Sequence, residues 1–82
     1  MKRNAILKDI VHILTEYGLE EKQIIPKASF SKDLGFDSLD TVELSMRAEQ
    51  HFDIGIPVSM LEENGDTIGG LIEIIEEQLL KE

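Results

Sequence analysis

Gly35-Phe36-Asp37-Ser38-Leu39-Asp40-Thr41-Val42-Glu43-Leu44 passes from turn chemistry into a helical pattern and sets one hydroxyl, that of Ser38, at the changeover. Gly35 supplies a backbone free to take positive φ, Asp37 is a favoured N-cap, and Asp40, three residues on, partly imitates the acid of a capping box. A helix therefore starts here, with Ser38 at its first position. The side chain of Ser38 is not needed by the backbone, so it points to solvent as a spare nucleophile. Free amides of the first turn and the positive end of the helix dipole favour a phosphate on that oxygen by about 0.3–1 kcal/mol at an exposed site. Asp37-Ser38-Leu39-Asp40 is equally an ordinary helix start, and local chemistry leaves both readings standing.

Downstream, the helix predicted over Ser38 to His51 carries two apolar sets. Leu44 and Ala48 share one face with Phe52 below them, while Leu39, Val42 and Met46 lie on an adjacent one, alternating with Asp40, Glu43 and Glu49. An apolar arc that wide either sits deep in a core or shows part of itself to a partner. Pro57 then ends or redirects the chain, and Val58 to Asn64 predicts a short helix capped by Ser59 and stopped by Asn64-Gly65. From Asp66 or Thr67 to Leu80, the spacing of Ile68, Leu71, Ile72, Ile75 and Leu79 predicts a last helix, with Glu73, Glu76 and Glu77 on its wet face. Gly69-Gly70 at its start leaves two options, fraying or a close backbone approach.

Upstream, Ile6, Leu7, Ile10, Val11, Ile13, Leu14 and Tyr17 recur at three- and four-residue intervals, predicting a first helix over Asn4 to Tyr17 with Gly18 as its stop. Leu19 to Phe36 has no period and is long for a connection, so it needs apolar anchors; Ile24, Ile25, Phe30 and Leu34 are the candidates. His12 has no second ligand four residues away and is assigned to the solvent face. Asp33, Asp37, Asp40 and Glu43 do not form an EF-hand, which needs Gly where Ser38 falls and Glu where Leu44 falls. No metal site and no internal repeat are expected.

The 82 residues predict a single domain over 1–82, at a size that buries about 60% of its unfolded surface. With 41% hydrophobic residues but only Tyr17, Phe30, Phe36 and Phe52 as aromatics, aliphatic side chains must fill the core. The absence of cysteine excludes disulfides, thiolate metal sites and a protein thiol as carrier, so any thiol must be imported. No signal-peptide core or membrane span is legible, which predicts a cytoplasmic or organelle-matrix protein with no membrane contact. The net charge of −9 divides into +2 over residues 1 to 32 and −11 over residues 33 to 82. That acidic half argues against nucleic acid and for partners with basic patches, although acids also simply keep a small protein soluble.

The run Ala28-Ser29-Phe30, Asp33-Leu34-Gly35, Asp37 to Leu44, Met46, Glu49, Phe52-Asp53 and Ile56-Pro57 resembles the acyl carrier proteins of dissociated (type II) fatty acid synthesis over about thirty residues. The resemblance implies an all-α bundle of three main helices and one short one, and a monomeric carrier without enzymatic activity. It implies 4'-phosphopantetheine linked to Ser38 through a phosphodiester by a phosphopantetheinyl transferase. Asp37 would help hold the metal that this partner uses. Acyl groups would ride as thioesters on the terminal thiol, and fatty acid synthesis enzymes would read the second helix. Its acids Asp40, Glu43 and Glu49 would meet Arg and Lys, with Leu39, Val42 and Met46 adding apolar contacts. Four features depart from the family pattern: Arg47 on the recognition helix, the small Ala48, the segment Val58-Ser59-Met60-Leu61, and one extra residue before Thr67. They keep open a dedicated carrier for polyketide, lipid or amino-acyl transfer.

Two readings from other classes remain to be weighed. In a hydrolase, a base must activate Ser38, yet His51 lies about 20 Å down the same helix and only His12 could fold near. A purely interacting acidic helical module carries no prosthetic group at all.

Overall fold

The computed structural model describes residues 2–63 and 66–80, with Val58 described by its backbone alone. Four α-helices follow one another: α1 (Arg3–Thr15), α2 (Ser38–Phe52), α3 (Val58–Glu63) and α4 (Ile68–Leu80), with one 3₁₀ turn over Glu21–Gln23 between α1 and α2. The all-α bundle of three longer helices and a short one is therefore present. The predicted Asn64-Gly65 stop of the short helix lies outside the described residues.

α1 buries Ile6, Ile10, Ile13 and Leu14, the face its periodicity marks out. It ends two residues before Tyr17 because the chain tightens: the amides of Glu16, Tyr17 and Gly18 each donate three residues back, to Ile13, Leu14 and Thr15. Gly18, at φ +89°, then turns the chain in a region that other residues rarely adopt.

The long connection is held by Ile24, Ala28, Phe30 and Phe36, all buried, with Leu34 half-buried. Ile25 is a correction. It is 42% exposed, because once Ile24 turns inward after the 3₁₀ turn its neighbour faces out, and Ala28 takes the next inward place. The connection is also tied to the start of α4. The Phe30 amide donates to the Asp66 carbonyl at 2.9 Å, and the amides of Ile68 and Gly69 donate to the carbonyls of Ala28 and Pro26 at 3.1 and 2.7 Å. Loop carbonyls thus satisfy two of the amides that a helix start leaves open, and Thr67 Oγ1 accepts from the Gly70 amide at 3.0 Å. A Cβ on Gly69 would stand 2.9 Å from the Pro26 oxygen, so close approach rather than fraying accounts for the glycine at that position.

α2 runs one residue beyond His51, to Phe52, and is closed by Asp53 in the left-handed conformation. The short helix begins at Val58, which puts Ser59 inside it rather than at its cap; the Pro57 carbonyl accepts from the Met60 amide at 3.0 Å instead. α4 buries Ile68, Leu71, Ile72 and Ile75 as its spacing predicts, and Ile74 as well. It packs on α1 and also on α3, so more than one stripe is covered. The single core cluster draws on all four helices and is filled mainly by Ile and Leu.

Candidate functional site

The head of α2 is built by two aspartates. Asp37 Oδ1 accepts from the Asp40 amide at 2.9 Å, and Asp40 Oδ2 accepts from the Asp37 amide at 3.1 Å, a reciprocal capping box. Thr41 Oγ1 also donates to the Asp37 carbonyl, at 3.0 Å. Gly35, at φ +71°, turns the chain into this cap, and buried Phe36 pins the turn from below. The Phe36 ring lies 5.4 Å from Tyr17 and 5.6 Å from Phe30, in tilted contacts that fix the platform under the helix start.

On this platform Ser38 is the first helical residue and is exposed. Among the described residues its hydroxyl makes no hydrogen bond, and its amide and that of Leu39 have no partner. Beside it a groove of about 360 Å³ is lined by Ser38, Thr41, Val42, Glu62 and Asp66. Thr41, Glu62 and Asp66 had no signal in the sequence, because they meet only where α3 and the start of α4 come up against α2. Asp66 is held there by the amide and hydroxyl of Ser31, at 3.1 and 2.7 Å from its Oδ2.

Leu39, Val42 and Met46 are 77%, 41% and 54% exposed, so this set is not core. Leu44, Ser45, Ala48 and Phe52 form the buried face. Glu43 is exposed and Asp40 half-buried on the same outer side. Glu49 is half-buried, and its Oε2 accepts from the Ile56 amide at 2.9 Å. Arg47 turns toward α1, where it pairs with Glu16 at 3.1 Å and lies over the Tyr17 ring, while its Nε stays 3.6 Å from Glu43. The Tyr17 hydroxyl is buried without a hydrogen-bond partner among the described residues. Burial, and next the nearby Glu43 carboxylate, push this phenol above its ordinary value, while Arg47 pulls it down.

Neither histidine reaches Ser38: His12 lies beside Glu16 at 3.7 Å and His51 beside Asp9 at 3.2 Å. The described residues contain no group of three potential metal ligands and no helix long and apolar enough to cross a membrane. A primary hydroxyl at a helix start that no base hydrogen-bonds among the described residues, beside first-turn amides unpaired among them and an adjoining groove, fits a phosphodiester-linked arm.

Fold and site together define a carrier domain that bears its chemistry on an attached group. A family model described as a phosphopantetheine attachment site matches residues 7–75, and the chain belongs to that family. It is 43% identical over 74 residues to the acyl carrier protein of Chlorobium phaeovibrioides, covering 88% of this chain and 90% of that one. It is 48% identical over 64 residues to the acyl carrier protein of Cyanidioschyzon merolae, covering 77% and 70%. Against the acyl carrier protein of Karelsulcia muelleri it is 54% identical over 52 residues, covering 62% and 63%. The chain is an acyl carrier with covalently bound 4'-phosphopantetheine, not an enzyme.

Proposed function

We propose that Ser38 is the attachment point and that residues 1–82 work as one monomeric carrier domain for acyl intermediates of fatty acid synthesis, in the cytoplasm. The observation that carries the assignment is the unbonded Ser38 hydroxyl on a helix whose capping is done by Asp37. When bound, the arm supplies the thiol that this cysteine-free chain lacks. Ser38 Oγ forms the new phosphodiester as the donor's phosphoanhydride breaks, and its proton passes to a base on the transferase. Asp37 Oδ2 makes no hydrogen bond among the described residues and is free to help hold the partner's metal.

The surface that partner enzymes read is the outer strip of α2. Leu39, Val42 and Met46 supply apolar contact and Asp40 and Glu43 the charge, with Arg47 and Glu49 at its flanks. Partners with basic patches are drawn to it by the acidic second half of the chain. Intact mass after reaction with a broad-specificity phosphopantetheinyl transferase tests the assignment. The wild type gains one phosphopantetheine and Ser38→Ala gains none; a modified Ser38→Ala chain, or a wild type that stays unmodified, overturns it.

A further inference from the structure

Arg47 is the one lysine or arginine between positions 33 and 80, and it stands on the helix whose acids are proposed to attract basic partners. Two carboxylates compete for it. Glu43, one turn before it on α2, lies 3.6 Å from its Nε, and Glu16, from the end of α1, lies 3.1 Å from its Nη1. The tighter contact belongs to the residue outside the recognition helix. Tyr17 adds to that bias, since the guanidinium carbon lies 5.0 Å from its ring centroid, on the α1 side.

Glu16 is badly placed for its own helix. It occupies the C-cap of α1, where the negative end of the dipole disfavours a carboxylate. What it gains there is Arg47 at 3.1 Å on Oε2, with His12 at 3.7 Å on Oε1. Without Glu16, the guanidinium is left to close its existing 3.6 Å i,i+4 pair with Glu43 and quenches that acid of the outer strip more fully.

We propose that Glu16 and Tyr17 are specificity-determining positioning residues: by holding Arg47 against α1 they limit its pairing with Glu43 to the longer contact through Nε and leave more of the Glu43 charge to a basic partner. This rests on the proposed reading of the outer α2 strip. It makes partner affinity depend on the contact between α1 and α2, through residues that touch no partner themselves.

The test uses the apo chain and a broad-specificity phosphopantetheinyl transferase, with kcat/KM measured at low and high ionic strength. Glu16→Gln should lower kcat/KM about 3- to 5-fold at low salt, through KM, and the loss should shrink as salt rises. In an Arg47→Gln background the same substitution should change kcat/KM less than about 2-fold, because no guanidinium remains to turn on Glu43. Tyr17→Leu should act in the same direction as Glu16→Gln and should likewise be rescued by Arg47→Gln. Equal losses from Glu16→Gln in both backgrounds overturn the inference, since they show only a missing charge. Glu43→Gln separates it from the surface reading. If Glu43→Gln slows the reaction while Glu16→Gln acts equally in both backgrounds, the inference alone fails; if Glu43→Gln changes nothing, the surface reading falls and takes the inference with it.

Discussion

The amide of Gly69 donates to the carbonyl of Pro26 across 2.7 Å, a contact that joins the start of α4 to the long connection before Ser38. A methyl at position 69 meets that oxygen at 2.9 Å, and the obstacle is backbone. Gly69→Ala gains about 1 kcal/mol of helix propensity but takes on an overpacking cost of about 1–3 kcal/mol and the loss of the hydrogen bond. The expected net loss is about 1–2 kcal/mol, a fall in Tm of roughly 4–8 °C per kcal/mol for a chain of this size. Gly55→Ala is the control: nothing lies within 4 Å of a Cβ there. Thermal melting of both variants checks the contrast, and a Gly69→Ala chain as stable as the wild type contradicts the account.

Capping and charge at Asp37 separate by substitution. Asp37→Ala should lose about 0.5–2 kcal/mol of stability, while Asp37→Asn should stay near the wild type, because asparagine caps as well as aspartate. Ser38→Ala should also stay within about 0.5 kcal/mol, since its side chain caps nothing. If Asp37 also holds the transferase's metal, Asp37→Asn is stable yet modified slowly. Denaturant melts beside modification rates read the two roles independently.

Tyr17→Phe removes a buried hydroxyl that has no hydrogen-bond partner among the described residues. Stability near neutral pH should rise by about 1 kcal/mol, with the ring contact to Phe36 kept. The pH dependence follows from the raised folded value. Below the ordinary value of 10.0 both states hold the proton and nothing is lost; above it the unfolded chain ionises first, so stability falls as pH climbs through the folded value. The variant should lack that part of the alkaline loss, measured as the difference between two denaturation curves taken across pH 9 to 12. Curves that stay parallel above pH 10 refute it.

Ala48 is fully buried in an aliphatic core, and resemblance to the carrier family implies that an acyl chain folds back into such a core. Burying six methylenes is worth at most about 5 kcal/mol at ~0.8 kcal/mol each, less the cost of ordering the chain and parting the side chains. Tm should therefore rise from the holo form to medium-chain acyl forms and then level. Ala48→Leu should lower the chain length at which it levels. Equal Tm for holo and all acyl forms, with acyl methyls in contact with water by NMR, places the chain outside.

The helices, the aspartate cap and the place of Ser38 at the first helical position were legible in the sequence because each is a local property, while its reading as an attachment point came from the resemblance. Periodicity marks the face that a helix buries, and a cap needs only residues three apart, as Asp37 and Asp40 show. Composition likewise excluded a protein thiol. Three matters were decided by packing between segments distant in the chain. Leu39, Val42 and Met46 read equally as core or as surface until the packing of α2 buried the face of Leu44 and Ala48 and left theirs outside. Gly69 could mean fraying or close approach until the Pro26 carbonyl stood against it. Arg47 read as a cation on an acidic face, and only the end of α1, with Glu16 and the Tyr17 ring, turned it aside. Burial and ion pairing depend on what lies across the gap, and residues 31 or 43 positions apart carry no local pattern that announces their meeting.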